Sequence, residues 1–202
     1  MRLVLVAALA LAAAPVLAQQ APSGPPGAPD PSRAVAGTYK VDTGHTQVLF
    51  TYLHLGFTEY TGQFTQPTGS LVLDPKNPAN DKVEISFPID KVATTVPGLN
   101  AHLQTADFFD AAKYPEGKFS STSVTVHGTT ATIVGNLTLK DVTKPITLEA
   151  RFVGAGPGMG GKTYVGFAAT ATLNRSDYHL GFLVPKVADK VDLVINAGFV
   201  QQ

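Results

Sequence analysis

Apolar and polar positions alternate along most of the chain. Val83, Ile85, Phe87 and Ile89 are interleaved with Glu84, Ser86, Pro88 and Asp90. Ile146, Leu148, Ala150 and Phe152 alternate with Thr147, Glu149, Arg151 and Val153. Val191, Leu193, Ile195, Ala197 and Phe199 alternate with Asp192, Val194, Asn196, Gly198 and Val200. Successive side chains of a strand point to opposite faces, so each run has one apolar and one mostly polar face. That is how an antiparallel sheet with one solvated side reads. Further strands are predicted over 38–42, 45–54, 57–64, 68–73, 118–127, 129–140 and 162–174, where Thr, Val, Phe and Tyr are frequent. Turn chemistry separates them at Asp74-Pro75 with Asn77-Pro78, at His127-Gly128 and from Lys140 to Pro145. Pro88 inside its run predicts a sheet edge or a bulge.

Two segments break the rhythm. Residues 97–112 read as a short helix and a turn, with Leu99, Leu103, Phe108 and Phe109 on the apolar side. Residues 174–190 read as a long connection with one helical turn near Ser176. Around ten short strands with one or two short helical insertions predict an all-β protein, barrel or sandwich. Closure removes exposed edges and favours an antiparallel β-barrel. Gly135, Ala150, Gly166, Ala168 and Ala197 fall on the apolar faces. Pointing inward, they would leave space in the interior, and barrels of about eight strands can hold one small ligand. Tapered packing or tight bends explain such residues equally well.

The front end has a different character. Residues 1–18, MRLVLVAALALAAAPVLA, place one Arg before a Leu/Val/Ala run that closes on small residues. This is the layout of a cleaved signal peptide, and it predicts a periplasmic protein cut after Ala18. The apolar stretch is short for a bilayer span of roughly 20 residues, and no later run approaches that length. Residues 19–36 hold prolines at 22, 25, 26, 29 and 31 and read as an extended, disordered tether, leaving 37–202 as the folded domain.

Composition narrows the chemistry. Fifteen Lys and Arg face fifteen Asp and Glu, so no basic excess exists to hold a nucleic-acid backbone. The absence of cysteine excludes a disulfide scaffold and a thiol enzyme. No HExxH, CxxC or GxSxG motif occurs. Gly154–Gly161, GAGPGMGG, lacks the residues of a phosphate loop and reads as a flexible hairpin connection. A metal site would require His54, His102 and His179 to meet from distant segments. His45 and His54, nine apart on one predicted strand, point to opposite faces in regular geometry. No catalytic residue, metal or cofactor is therefore expected. The aromatic residues, by contrast, concentrate in predicted strands and in the helical insertion. An aromatic-lined apolar cavity with a few polar groups is the usual form of a small-molecule site.

Several blocks, in order, resemble the YceI-like family of exported polyisoprenoid-binding proteins. They are Tyr39-Lys-Val-Asp42, His45-Thr46, Phe50 and His54; Gly62-Gln-Phe64 and Gly69-Ser-Leu71; and His102-Leu103, Asp107-Phe-Phe-Asp110, Tyr114-Pro115 and Phe119. They continue with Gly135-Asn-Leu-Thr-Leu139, Val142-Thr-Lys-Pro145, Asn174-Arg175, Asp177-Tyr178, Val187-Ala-Asp189 and Val191-Asp-Leu193. The resemblance implies a lipocalin-like extended barrel that carries an isoprenoid or quinone-like lipid without catalysing a reaction. It puts the ligand against Phe50, Tyr52, His54, Phe57, His102, Leu103, Phe108, Phe109, Phe119, Leu137 and Arg175. Asp141 and His179 stand where relatives often have Gly, which would place a histidine at the pocket mouth. A homodimer is compatible with this reading. Two other classes stay open. A small enzyme on an apolar substrate would need His54, His102 or Arg175 to converge, and an envelope protein acting through a partner would need an exposed apolar patch. A filled interior, with Gly135 and Ala168 covered, would argue against a carrier.

Overall fold

The computed structural model describes residues 24–202. The predicted signal peptide and the start of the tether lie outside the described residues. Eleven strands follow: β1 (Gly37–Val41), β2 (Gln47–His54), β3 (Thr58–Phe64), β4 (Thr68–Leu73), β5 (Lys82–Pro88), β6 (Val92–Ala93), β7 (Glu116–His127), β8 (Thr130–Leu139), β9 (Val142–Pro157), β10 (Thr163–Asn174) and β11 (Lys190–Gln201). A single α-helix among the described residues, α1 (Pro97–Leu103), follows β6.

Eight strands close an antiparallel barrel in the order β1, β4, β5, β7, β8, β9, β10, β11, with β11 pairing back to β1. The long β11 serves two partners on one side. Phe199–Gln201 pair with β1, and Asp192–Asn196 pair with β2. The chain turns between those strands at residues 42–46, where the buried Thr46 hydroxyl donates to the Gly198 carbonyl at 3.2 Å and accepts from its N–H at 3.1 Å. His45 belongs to this turn and pairs with Asp42 at 2.9 Å. It is therefore not on the strand that carries His54, contrary to the predicted 45–54 strand. Beyond the turn, β2, β3 and β6 extend the sheet past the closed barrel.

The period-two reading holds where one parity is purely apolar. Ile146, Leu148 and Ala150 of β9 are buried, as are Val191 and Phe199 of β11. In β10, TYVGFAATATLN, the expectation that Gly166 and Ala168 face inward takes the wrong parity, because the other parity is the apolar one from Val165 to Leu173. There Val165, Phe167, Ala169, Ala171 and Leu173 face the core, while Ala168 pairs with Arg151 on the outer face. Gly166 shares that outer parity. Gly135 is also no source of space, because a Cβ there would lie 2.4 Å from the Phe119 ring. Of the small residues expected inside, Ala150 and Ala197 do line an internal cavity, and Ala131 and Ala169 join them.

Several boundaries move for identifiable reasons. The turn predicted over Lys140–Pro145 contracts to Lys140 and Asp141, and Val142–Pro145 pair with Leu139–Asn136. Lys140 takes the left-handed conformation (φ 54°) that a tight turn needs without the glycine that announces one. Pro88 ends β5, and a 3-10 turn, Ile89–Lys91, replaces the last predicted strand residues. The helical insertion stops at Leu103 and continues as turns. The turn near Ser176 is present as Arg175–Tyr178. Of the glycine-rich connection, Gly154–Pro157 continue β9.

Those last glycines explain a second difference. Residues 24–36, expected as disordered tether, form a strap across the end of β9. Ala28 and Ala155 exchange two backbone hydrogen bonds of 3.0 Å, Pro31–Arg33 make a 3-10 turn, and the Arg33 guanidinium donates to the Pro26 carbonyl at 2.9 Å. A Cβ on Gly156 would sit 2.1 Å from the Pro26 oxygen, so only glycine admits the strap there.

Candidate functional site

Inward-facing residues of the barrel and the segments at one of its ends enclose two apolar compartments. The first, 320 Å³, runs within the barrel towards the strap, between faces that include Val48, Leu71, Ile85, Phe119, Ile133, Leu148, Ala169 and Ile195. The second, 440 Å³, lies beneath α1, the β2–β3 hairpin and the connection from Arg175 to Asp189. Phe64, Leu139, Leu173 and Leu193 line both, so the compartments meet at one apolar waist. Around that waist the Phe64 ring packs on Phe50 (5.3 Å between centroids), Phe87 (4.8 Å) and Phe109 (5.6 Å).

The second compartment gathers residues far apart in sequence. Phe50, Tyr52, His54, His102, Leu103, Phe108, Phe109 and Arg175 all line it, while Phe119 and Leu137 line the first. Phe57 lines neither. It stands at the tip of the β2–β3 hairpin with 85% of its surface exposed, because the preceding turn points it out of the barrel. Leu99 and Val187 also line the second compartment, as do Tyr60, Val96, Phe182, Leu183, Leu180 and Val191, none of them among the predicted site residues. Val191 was legible from its apolar alternation. Phe182 and Leu183 sit in a connection with no period to read.

The roof is tied together by rings. His102 of α1, Phe108 after it and Phe182 from the distant connection meet edge to face, with centroids 5.0 to 5.7 Å apart. His102 Nε2 also lies 2.8 Å from an Asp107 carboxylate oxygen.

Arg175 is the one buried charge of the wall. Its guanidinium donates to four backbone carbonyls of the following connection, those of Ala188 (2.8 Å), Phe182 (2.9 Å), Val187 (2.9 Å) and Leu180. Burial lowers its pKa, opposed by the charge of Asp189 and by Tyr52. An arginine stays protonated against such a shift. Its first role is thus to hold the connection in shape over the cavity. Tyr52 presents a phenol whose pKa is raised by burial and by Tyr60, against the pull of Arg175. His179 is not at the mouth. It takes a left-handed conformation (φ 58°) and faces Asp141 at 3.3 Å on the outside.

The polar groups do not make a metal centre. Among the described residues no group of three His, Asp or Glu could hold an ion. His102 and His179 turn to separate carboxylates. Among the described residues, no helix is long and apolar enough to cross a membrane.

Comparison with known proteins agrees with this architecture. The pattern of the YceI-like domain matches residues 39–199. "Protein YceI" of Escherichia coli O157:H7 is 39% identical over 171 residues, spanning 84% of this chain and 90% of its own. Among solved structures, Burkholderia cenocepacia BcnA superposes with a TM-score of 0.71 at 20% identity, covering 78% of this chain and 98% of its own. A polyisoprenoid binding domain from Saccharophagus degradans superposes with a TM-score of 0.59 at 11% identity, covering 83% and 100%. Both structural likenesses are of fold. From the pattern match, the identity with its relatives and the closed barrel, the chain belongs to the YceI-like domain family.

Proposed function

We propose that this chain is an exported, non-catalytic carrier that holds a long-chain isoprenoid or quinone-like lipid inside the barrel. The observation that carries the reading is the pair of apolar compartments meeting at Phe64, Leu139, Leu173 and Leu193. A compact ligand would need one of them, whereas a long flexible tail fills both. Each lies within the ~300–1,000 Å³ usual for ligand pockets. Burial alone supplies the affinity, at about 0.8 kcal/mol per CH₂. Such a wall discriminates by length and bulk more than by chemistry. The first compartment carries Thr46, Asp81, Thr129, Thr130 and Arg151 in its lining, whereas Tyr52, Tyr60, His54 and His102 gather in the second, and that cluster of aromatic polar groups suits the polar head, with the tail tip in the first. The polyisoprenoid-binding neighbour and the signal-like leader support the ligand class and the export.

The test is native mass spectrometry of the protein isolated from its own envelope, with its N-terminus read by sequencing. The expected result is a chain beginning at Gln19 that carries a prenyl lipid near one to one. Ala169→Phe, which places a ring inside the first compartment, is expected to weaken binding of added long-chain prenyl lipid tenfold or more and to spare short-chain analogues. Equal binding of long and short chains by wild type and variant would refute the two-compartment carrier.

A further inference from the structure

The end of the barrel over the second compartment is apolar outside as well as inside. Leu53, Leu55 and Phe57 of the β2–β3 hairpin, Val96 before α1, and Leu183 and Val184 of the 175–189 connection are all exposed. These segments are neighbours. His54 pairs with Val187, and Ala188 donates to the Leu53 carbonyl at 3.0 Å. Val96 and Leu183 also form part of the cavity wall, so the outer rim continues into the interior. Exposed apolar side chains clustered at one place mark an interaction surface, whereas single ones need no explanation.

Two leucines of this rim are held against their own preference. Leu55 (φ 53°) and Leu183 (φ 63°) occupy the left-handed region, which glycine and asparagine adopt far more readily. Neither gains burial in return, since they are 46% and 48% exposed. In the turn after β2 the following residue is Gly56, also at positive φ, where Asn-Gly would be the ordinary pair. An apolar side chain at a strained tip is explained by what it touches outside the protein.

The charge pattern identifies the partner. Residues 53–58, 94–100 and 181–188 hold one charged side chain, Lys186, which is a cation and exposed. An apolar rim with a lone cation suits the headgroup–acyl boundary of a bilayer with anionic lipid. We infer that this rim docks on a phospholipid bilayer surface and inserts Leu55, Phe57 and Leu183, so that cargo passes between membrane and cavity without crossing water. The inference rests on the lipid-carrier reading for its purpose but not for its test.

The chain contains no tryptophan, so Phe57→Trp makes a single reporter outside the cavity wall. Added to vesicles of phosphatidylethanolamine and phosphatidylglycerol, Phe57→Trp is expected to blue-shift its emission and to float with the vesicles. The double variant Leu55→Asp, Phe57→Asp is expected to lose flotation and to slow prenyl-lipid transfer between vesicles tenfold or more. Its equilibrium binding of prenyl lipid in detergent should stay at the wild-type level. Emission unchanged at every vesicle concentration would overturn the docking. So would a blue shift that grows with protein concentration in the absence of vesicles, which assigns the rim to a second copy of the chain. A vesicle-dependent shift in a protein that binds no prenyl lipid in detergent would uphold the docking and overturn the carrier reading instead.

Discussion

Phenylalanine rings lying on glycines hold the aromatic waist in place. Phe50 faces Gly62 across β2 and β3, and Phe87 faces Gly117 across β5 and β7. A Cβ at Gly62 would sit 2.3 Å from the Phe50 ring, and one at Gly117 would sit 2.2 Å from Phe87. Each glycine lets a ring lie flat on the neighbouring backbone, and each ring covers a strand residue that packs nothing itself. Gly62→Ala must displace Phe50 toward the waist. It is expected to cost about 1–3 kcal/mol, the usual penalty of overpacking, read as a lower urea midpoint with unchanged slope. Gly98→Ala in α1, with open space around it, serves as the control and should be neutral or slightly stabilising. The sequence shows both partners of such a pair but not their pairing. Gly62 and Phe50 look like a turn residue and a core residue until the register sets them opposite each other.

At the scale of elements, the 175–189 connection shows how irregular chain is made rigid. Arg175 gathers four carbonyls on one side, and Asp189 accepts from the Ser176 N–H (2.8 Å) and hydroxyl (2.7 Å) on the other. Burial pushes the Asp189 carboxyl upward, but the two bonds from Ser176 and the charge of Arg175 outweigh it and leave the pKa lowered. A carboxylate with a lowered folded pKa contributes its full stability above the unfolded value of ~3.9, and loses it as pH falls through the folded value. Asp189→Asn is therefore expected to be less stable than wild type at pH 7 and to approach it in acid. Urea unfolding at pH 7 and at pH 3 measures this, and a gap that stayed constant would remove Asp189 from the account. Sequence reasoning placed the helical turn at Ser176 and included Arg175 among the wall residues. It had no means to find Phe182 and Leu183, because their place at the rim of the cavity depends on carbonyls that Arg175 holds from behind.

For the whole molecule, the two ends of the barrel differ in kind. One is roofed by α1, the β2–β3 hairpin and the Arg175 connection over the second compartment. The other is crossed by the strap, whose Pro31 and Ala34 line the first compartment. The strap is attached by two backbone bonds at Ala28 and Ala155 and by the closeness that Gly154 and Gly156 permit. Gly156→Val is expected to release it. Amides of Ala28 and Ala155 should then exchange faster and residues 24–36 should become cleavable by protease, while barrel amides keep their protection. Uptake of an apolar dye should rise at that end. Unchanged exchange at Ala155 would show that the strap is not what covers it.

Much of this protein was determined by local chemistry that any reader of the chain can follow. Period-two alternation gives antiparallel strands with one wet face. Proline and glycine punctuation gives most connections, and the scarcity of charge with abundant aromatics gives an apolar interior. These are properties of neighbouring residues, and they hold before the chain is closed. What required the tertiary structure was everything set by which strand meets which. The seat of Phe119 on Gly135, the break that removes His45 from β2, and the waist between two compartments all follow from register and closure. Even the glycines of Gly154–Pro157, which read as a loop, become strand residues once the strap needs their bare backbone. Contacts across the barrel join residues a hundred or more positions apart, such as Thr46 with Gly198, and no local pattern carries that information.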